Sequence, residues 1–162
     1  MNRARAFIAA GAVLVLGAVN FSIAEKEAIK RNGAVVLIEI GPRDPRSLMQ
    51  GDYMALNFPL ARRIAATWRS GAGAPREGGH GIAYVTLDQQ RVATLAAPGA
   101  AGSLPLRYRV RGGQAWIGTN AFFFEEGSAA RYSSARYGEF RLDAASGEAV
   151  LVGLRDAKLE AL

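Results

Sequence analysis

The stretch AFIAAGAVLVLGAVNFSIA, residues 6–24, decides the layout of this chain. It carries no charged residue, and Asn20 and Ser22 are its only strongly polar side chains. A helix of roughly 20 apolar residues crosses the hydrocarbon core of a bilayer. Arg3 and Arg5 precede the stretch, and basic residues stay on the cytoplasmic side. The sequence therefore predicts one helix across the inner (cytoplasmic) membrane, with the N-terminus inside and the rest of the chain periplasmic or extracellular.

The helix-forming pattern continues beyond the apolar stretch. Residues 25–31 read EKEAIKR, and Asn32-Gly33 makes a normal helix C-terminus. A cleaved signal peptide is the alternative, because Ser22-Ile23-Ala24 is a passable small-x-small cleavage site. The unbroken helix favours an uncleaved anchor and leaves cleavage after Ala24 open. We expect residues 1–33 to form a cytoplasmic tip and anchoring helix, and residues 34–162 to form one extracytoplasmic β-rich domain.

Composition argues against several functional classes. The chain has 20 basic and 14 acidic residues, a net charge of +6, and half of that excess lies in residues 1–33. The net positive charge that remains on residues 34–162 is too small for a polybasic nucleic-acid binder, so we expect no nucleic-acid partner. With no cysteine and one histidine, the chain also offers little for a metal centre. We expect neither a metal nor another cofactor.

The domain reads as short strands separated by turns. Residues 104–111 alternate most clearly between apolar and basic side chains, and the basic face carries Arg107, Arg109 and Arg111. Pro59 with apolar residues four apart predicts a short helix. The expected fold is α+β, a mostly antiparallel, open barrel-like sheet with two short helices. Predicted strands cover residues 34–40, 53–58, 82–87, 91–96, 104–111, 138–142 and 149–154, and the second helix covers residues 125–135.

The motif GDYMALNF, residues 51–58, is the most specific feature. It resembles the signature after which the GDYXXLXY family is named. The segments DPRSL (44–48), FEEG (124–127) and ARYGE (135–139) resemble that family as well. Phe58 stands where the family name has a tyrosine. The resemblance implies a bacterial membrane-associated protein of uncharacterised function, found alongside multi-span membrane proteins, and it supplies no catalytic residues.

The motif can be interpreted as a structural corner or as an exposed binding surface, and the corner is favoured. Gly51 permits a positive φ that reverses the chain. Asp52 can accept backbone N–H bonds in that turn or pair with Arg43 or Arg46. Alternate side chains of the following strand share a face, with Met54, Leu56 and Phe58 on one side and Tyr53, Ala55 and Asn57 on the other. The candidate functional surface comprises Asp52, Tyr53, Asn57, Arg43, Arg46, Glu125 and Glu126.

A carboxylate site is the main enzymatic alternative. Glu125 and Glu126, with Asp52, could serve an envelope hydrolase or transferase if burial pushed their pKa values apart. Adjacent side chains on a helix point about 100° apart, so we favour a pairing with Arg131 or with the helix dipole. A function other than catalysis is therefore favoured, and we assign no catalytic residue.

A serine-dependent hydrolase is disfavoured. Ser47 is the only serine in residues 43–50, directly before the Gly-Asp turn, and no lysine occurs between Arg31 and Lys158 to act as its base. His80, the single histidine, falls in the glycine-rich stretch 70–81, which we predict to be a mobile loop.

The favoured function is a membrane-anchored accessory or interaction protein that docks on a multi-span membrane partner. Ala10 and Gly17 lie on one side of the predicted helix with Gly11 and Ala18 beside them, and small residues allow close helix contact. A ligand-binding sensor module is a further alternative. The basic row on residues 104–111 has two interpretations. It could face anionic lipid headgroups, an acidic glycan or an acidic partner loop, or it could be the solvent-exposed face of a strand, formed by Arg107, Arg109 and Arg111.

Overall fold

The computed structural model describes residues 3–41, 53–68 and 75–162, and these form an N-terminal helix followed by an α+β domain. The predicted fold class is confirmed. The helices are α1 (Arg3–Asn32), α2 (Pro59–Thr67) and α3 (Ala129–Tyr132). The strands are β1 (Ala34–Glu39), β2 (Tyr53–Ala55), β3 (His80–Leu87), β4 (Ala93–Ala96), β5 (Leu104–Arg111), β6 (Gln114–Ile117), β7 (Ala121–Phe123), β8 (Tyr137–Leu142) and β9 (Ala149–Arg155).

The strands form three antiparallel sheets within the described residues. One has the order β1-β8-β9, a curled second sheet has the order β4-β3-β5-β6, and β2 pairs with β7 in a two-stranded ribbon. Both hairpins predicted from sequence are present, as β3–β4 and β8–β9. In the first turn Asp88 Oδ1 accepts the N–H groups of Gln90 and Val92, which holds the chain reversal.

The core lies between the two larger sheets, with α2 packed beside them. Alternation along β5 buries Leu106, Tyr108 and Val110 and exposes the arginines between them, as the period-2 pattern predicts. The apolar stripe of α2 faces the core, where Leu60 and Ile64 are buried, as expected from their four-residue spacing. The sequence pattern therefore identified the inward faces of these two elements correctly.

Helix α1 divides into an uncovered part and a packed part. From Phe7 to Ile23 its large apolar side chains are exposed, and the helix is long and apolar enough to cross a membrane. Near its end Ile29 is buried and Lys26 forms an ion pair with Glu148. The helix ends where sequence predicted, and the Gly33 N–H donates to the Ile29 carbonyl at 2.8 Å.

Gly33 holds the junction between α1 and the sheet through close packing. A Cβ at this position would lie 2.6 Å from the Ile29 carbonyl oxygen and 3.1 Å from the Arg141 backbone. Gly33→Ala should therefore cost about 1–3 kcal/mol of stability, the usual range for overpacking. Faster amide hydrogen exchange at the end of α1 and the start of β1 would report the change. Unchanged exchange would contradict this account, and Gly153→Ala, where a Cβ meets no atom within 4 Å, is the control.

Three predicted elements differ in extent. The motif strand β2 ends at Ala55 because its partner β7 has three residues, and the next N–H, that of Leu56, bonds to Asn120. The predicted helix over residues 125–135 is reduced to α3, since Gly127 has a φ of +82° and interrupts it. The loop predicted over residues 70–81 was wrong at its end, where β3 begins.

Candidate functional site

The outer face of the second sheet gathers basic and apolar side chains from three strands. Antiparallel partners share a face of the sheet. His80 pairs with Arg109, which in turn pairs with Trp116 on the other side, and Ile82 pairs with Arg107. The arginine row of β5 is therefore flanked by an imidazole, an indole and an exposed aliphatic side chain.

Two of the three arginines have partners on this face. The Arg109 Nε donates to His80 Nε2 at 3.1 Å. The Arg111 guanidinium lies 5.4 Å from the Trp116 ring centroid, within cation–π range. Arg107 is exposed, and its side chain makes no recorded hydrogen bond or ion pair with the described residues. His80, interpreted from sequence as part of a loop, is thus a strand residue with a defined contact.

The same face borders the part of α1 that packs on the domain. A groove of about 590 Å³ separates the start of the packed part of α1 from strands β5 and β9. Its charged lining comes from both sides, so Arg107 and Arg109 lie directly beside the point where the apolar stretch of α1 ends. We call this site the basic groove; its polar and charged side chains include Glu25, Lys26, His80, Arg107, Arg109 and Glu148.

The β8–β9 turn fixes one wall of the basic groove. The Ser146 hydroxyl and the N–H groups of Ala145 and Ser146 donate to the Asp143 carboxylate, and these bonds lower the pKa of Asp143 below its ordinary value. A carboxylate held in its ionised form keeps the turn in place. The turn leads directly into Glu148, whose ion pair with Lys26 ties α1 to the sheet.

The motif strand has one buried and one exposed face, as predicted. Met54 is 0% exposed, and Leu56 and Phe58 are also buried. Tyr53 is 42% exposed and packs against Phe123, which is 74% exposed, with 5.8 Å between ring centroids and 41° between ring planes. Asp52, Arg43 and Arg46 lie outside the residues that the structure describes.

The family model described as GDYXXLXY protein matches residues 15–154. The chain belongs to the GDYXXLXY family. The match covers most of the chain, from within α1 to the end region of β9, so the resemblance inferred from the motif is confirmed. No curated protein and no solved structure shows a significant match.

The last aromatic of the family signature is a core position in this GDYXXLXY protein. Phe58 is buried and packs edge-on against Phe140, with ring centroids 5.5 Å apart. It also lies against Gly138, where a Cβ would come within 3.3 Å of the Phe58 ring. The phenylalanine here therefore contributes to packing between the motif strand and β8.

Asn57 belongs to a different surface from the exposed aromatic pair. Arg62 Nη1 donates to the Asn57 Oδ1 at 2.9 Å, across the start of α2. Both residues line a second groove of about 610 Å³ between α2 and β6. The sequence pattern does not indicate this bond, because it joins the helix to the segment that follows β2.

The two adjacent glutamates of this family member are exposed. Glu125 and Glu126 lie between β7 and α3, before the turn at Gly127, and not on a helix. Among the described residues, neither glutamate forms an ion pair with Arg131, whose guanidinium lies 5.7 Å from the Tyr132 ring centroid. Within the described ranges, no group of three or more His, Asp or Glu side chains is placed to hold a metal ion.

Sequence reasoning missed five residues of the basic groove: Glu25, Lys26, His80, Trp116 and Glu148. The strand that holds His80 and its register with β5 depend on pairing between distant segments, and the approach of α1 depends on tertiary packing. The one available signal was the basic row of β5 itself. Because antiparallel neighbours share a face, the residues paired with that row could have been sought on the adjacent strands.

Proposed function

We propose that this GDYXXLXY protein is an accessory protein anchored in the inner membrane by α1, with its domain on the outer side, and that it docks on a multi-span membrane partner. The observation that carries the proposal is the uncovered helix. The domain covers none of its most apolar window. A soluble protein would bury so long an apolar surface, so lipid or another membrane helix is the expected cover.

The dimensions of α1 fit a spanning role. Residues 6–24 measure about 28 Å as a helix, close to the roughly 30 Å of a hydrocarbon core. The following residues remain helical and pack on the sheet through Ile29 and the Lys26–Glu148 ion pair. The helix thus continues into the domain without a flexible linker, which suits a subunit that holds its domain at a fixed height.

The anchor carries a surface suited to helix packing. Gly11 and Gly17 have no other residue within 4 Å of the place where a Cβ would stand. Within lipid, helices associate by close backbone approach at small residues, because apolar burial gives no preference there. The side of α1 with Ala10, Gly11, Gly17 and Ala18 is therefore the proposed partner-facing side.

The exposed aromatic pair offers a second contact away from the membrane. The Gly41 N–H donates to the Asn57 carbonyl, and Phe122 packs on Tyr132, 5.1 Å between centroids. The first contact ties the segment after β2 to the end of β1 that is remote from α1, and the second ties β7 to α3. The exposed apolar patch formed by Tyr53 and Phe123 is therefore the proposed second contact with the partner, while the surface beside α1 is basic.

Affinity purification after detergent extraction tests the proposal. We expect one multi-span membrane protein to be recovered in stoichiometric amount. Ala10→Leu with Gly17→Leu should reduce that recovery several-fold, because added side chains prevent close helix approach. The matched control is Ala12→Leu with Val19→Leu, which adds bulk on the opposite side of the helix and should leave recovery unchanged.

Two outcomes would overturn the proposal. Recovery of the wild-type chain alone would remove the partner. A mature polypeptide that begins at Glu25 and is released by a salt wash would remove the anchor, because it would mean that the apolar stretch had been cleaved. Both helix variants should stay in the membrane fraction, so a lost partner is distinguishable from a lost anchor.

A further inference from the structure

We propose that the basic groove binds the phosphate of an anionic phospholipid headgroup, in the leaflet that faces the domain. The inference rests on the proposed anchoring by α1 but not on the protein partner. It gives the domain a specific contact with the bilayer in addition to the helix that passes through it.

The depth of the basic groove matches the headgroup layer. The hydrocarbon core is about 30 Å thick, and the headgroup regions bring the bilayer to about 40–45 Å. Each headgroup layer is then several ångströms deep, or a few residues of helix at 1.5 Å per residue. Glu25 and Lys26 follow the apolar stretch immediately and line the groove. Side chains that face them from β5 therefore lie at the level of lipid phosphates.

The charges that face the groove leave an excess of positive charge. Lys26 and Glu148 neutralise each other in their ion pair. Glu25 is exposed on the helix side, opposite Arg107 and Arg109 on the sheet side. Two guanidinium groups thus face one remaining carboxylate. Guanidinium groups present planar pairs of donors that match phosphate oxygens.

The contact with His80 orients Arg109 for such a ligand. The Arg109 Nε donates to His80 Nε2, so this imidazole nitrogen acts as an acceptor. The bond holds the side chain on the groove wall and uses one donor of the guanidinium, which has five. Among the described residues, the terminal nitrogens of Arg109 and the whole guanidinium of Arg107 have no hydrogen-bond or ion-pair partner.

Apolar neighbours on the same face fit a membrane surface better than an acidic glycan or protein loop. Trp116 lines the groove, and Ile82, beside Arg107 in the sheet, is 56% exposed. Tryptophan is enriched at membrane–water interfaces, where its ring sits at headgroup level. An indole, an exposed isoleucine and a row of arginines therefore make a surface with one apolar and one phosphate-binding component.

Lipid retention by the full-length chain tests the inference. The protein is reconstituted in vesicles of equal parts phosphatidylglycerol and phosphatidylcholine, extracted in mild detergent, and its retained lipids are counted. We expect enrichment of phosphatidylglycerol. Arg107→Gln with Arg109→Gln should weaken its binding about thirty-fold, equivalent to about 2 kcal/mol at roughly 1 kcal/mol per basic residue at a membrane surface. The matched control, Arg63→Gln with Arg131→Gln, removes the same charge elsewhere and should keep the enrichment.

The lipid-retention, phosphate-displacement and partner-recovery measurements each have an outcome that would contradict the lipid site. Equal retention of both lipids by the wild type, or equal losses in the test and control variants, would overturn the lipid site. Displacement of phosphatidylglycerol by inorganic phosphate alone would show a free-anion site instead. Loss of the multi-span partner by the groove variant with lipid enrichment intact would assign the groove to a protein. Vesicle flotation of every variant checks the anchor separately, so failure of the proposed function is distinguishable from failure of this inference.

Discussion

Phe140→Ala is expected to lower the free energy of unfolding of the domain by about 3–5 kcal/mol, the range for removal of a buried phenylalanine. Phe140 is 0% exposed, at the centre of the core. Its ring packs edge-on against Phe58 and fills the space beside two glycines, because a Cβ at Gly118 or Gly138 would come within about 3 Å of it. These neighbours belong to separate strands and loops, so the cavity cannot close easily.

Chemical denaturation of the full-length protein in detergent measures the Phe140 effect. Phe123→Ala is the matched control, because the same ring is removed from an exposed position. It should cost about 1 kcal/mol or less, since only the aromatic contact with Tyr53 is lost. Comparable losses for the two variants would contradict the assignment of the core.

Met54→Ala is the second large effect, with an expected loss of about 2–5 kcal/mol. Met54 lies in the middle of the family signature, is 0% exposed, and pairs with Phe122 across the two-stranded ribbon. Its removal leaves a cavity where the ribbon packs on the rest of the core. The same denaturation measurement gives the loss, and the thermal midpoint should fall with it.

Comparing Tyr53→Ala with Met54→Ala distinguishes a structural role of the signature from a role in partner docking. Tyr53 is the adjacent residue but points to solvent, so its removal should change the free energy of unfolding by about 1 kcal/mol or less. Recovery of the multi-span partner should fall in this variant if the aromatic pair is a docking surface. A Tyr53 variant that retains both full stability and full partner recovery would leave the signature with a purely structural role.

Elements with a strong local pattern were predicted well. The faces of β5, the apolar stripe of α2 and both hairpins follow from alternation, four-residue spacing and turn residues, and all involve segments close in sequence. The end of α1 at Asn32 was predicted for the same reason. Errors occurred where a partner segment set the boundary, as at Ala55, where the short β7 ends the pairing, and at His80, where pairing with Arg109 begins β3.

The sequence by itself determined the apolar helix, the alternating strands and membership of the family, because each depends on residue types at short, regular spacing. Only the tertiary structure decided that α1 packs on the sheet through Ile29 and Lys26, and that Arg107 and Arg109 of β5 face this junction. Strand register and helix docking arise from contacts between residues far apart in the chain, and no local periodicity encodes them. The basic groove is therefore a property of the fold, although the arginine row that forms one of its walls is visible in the sequence.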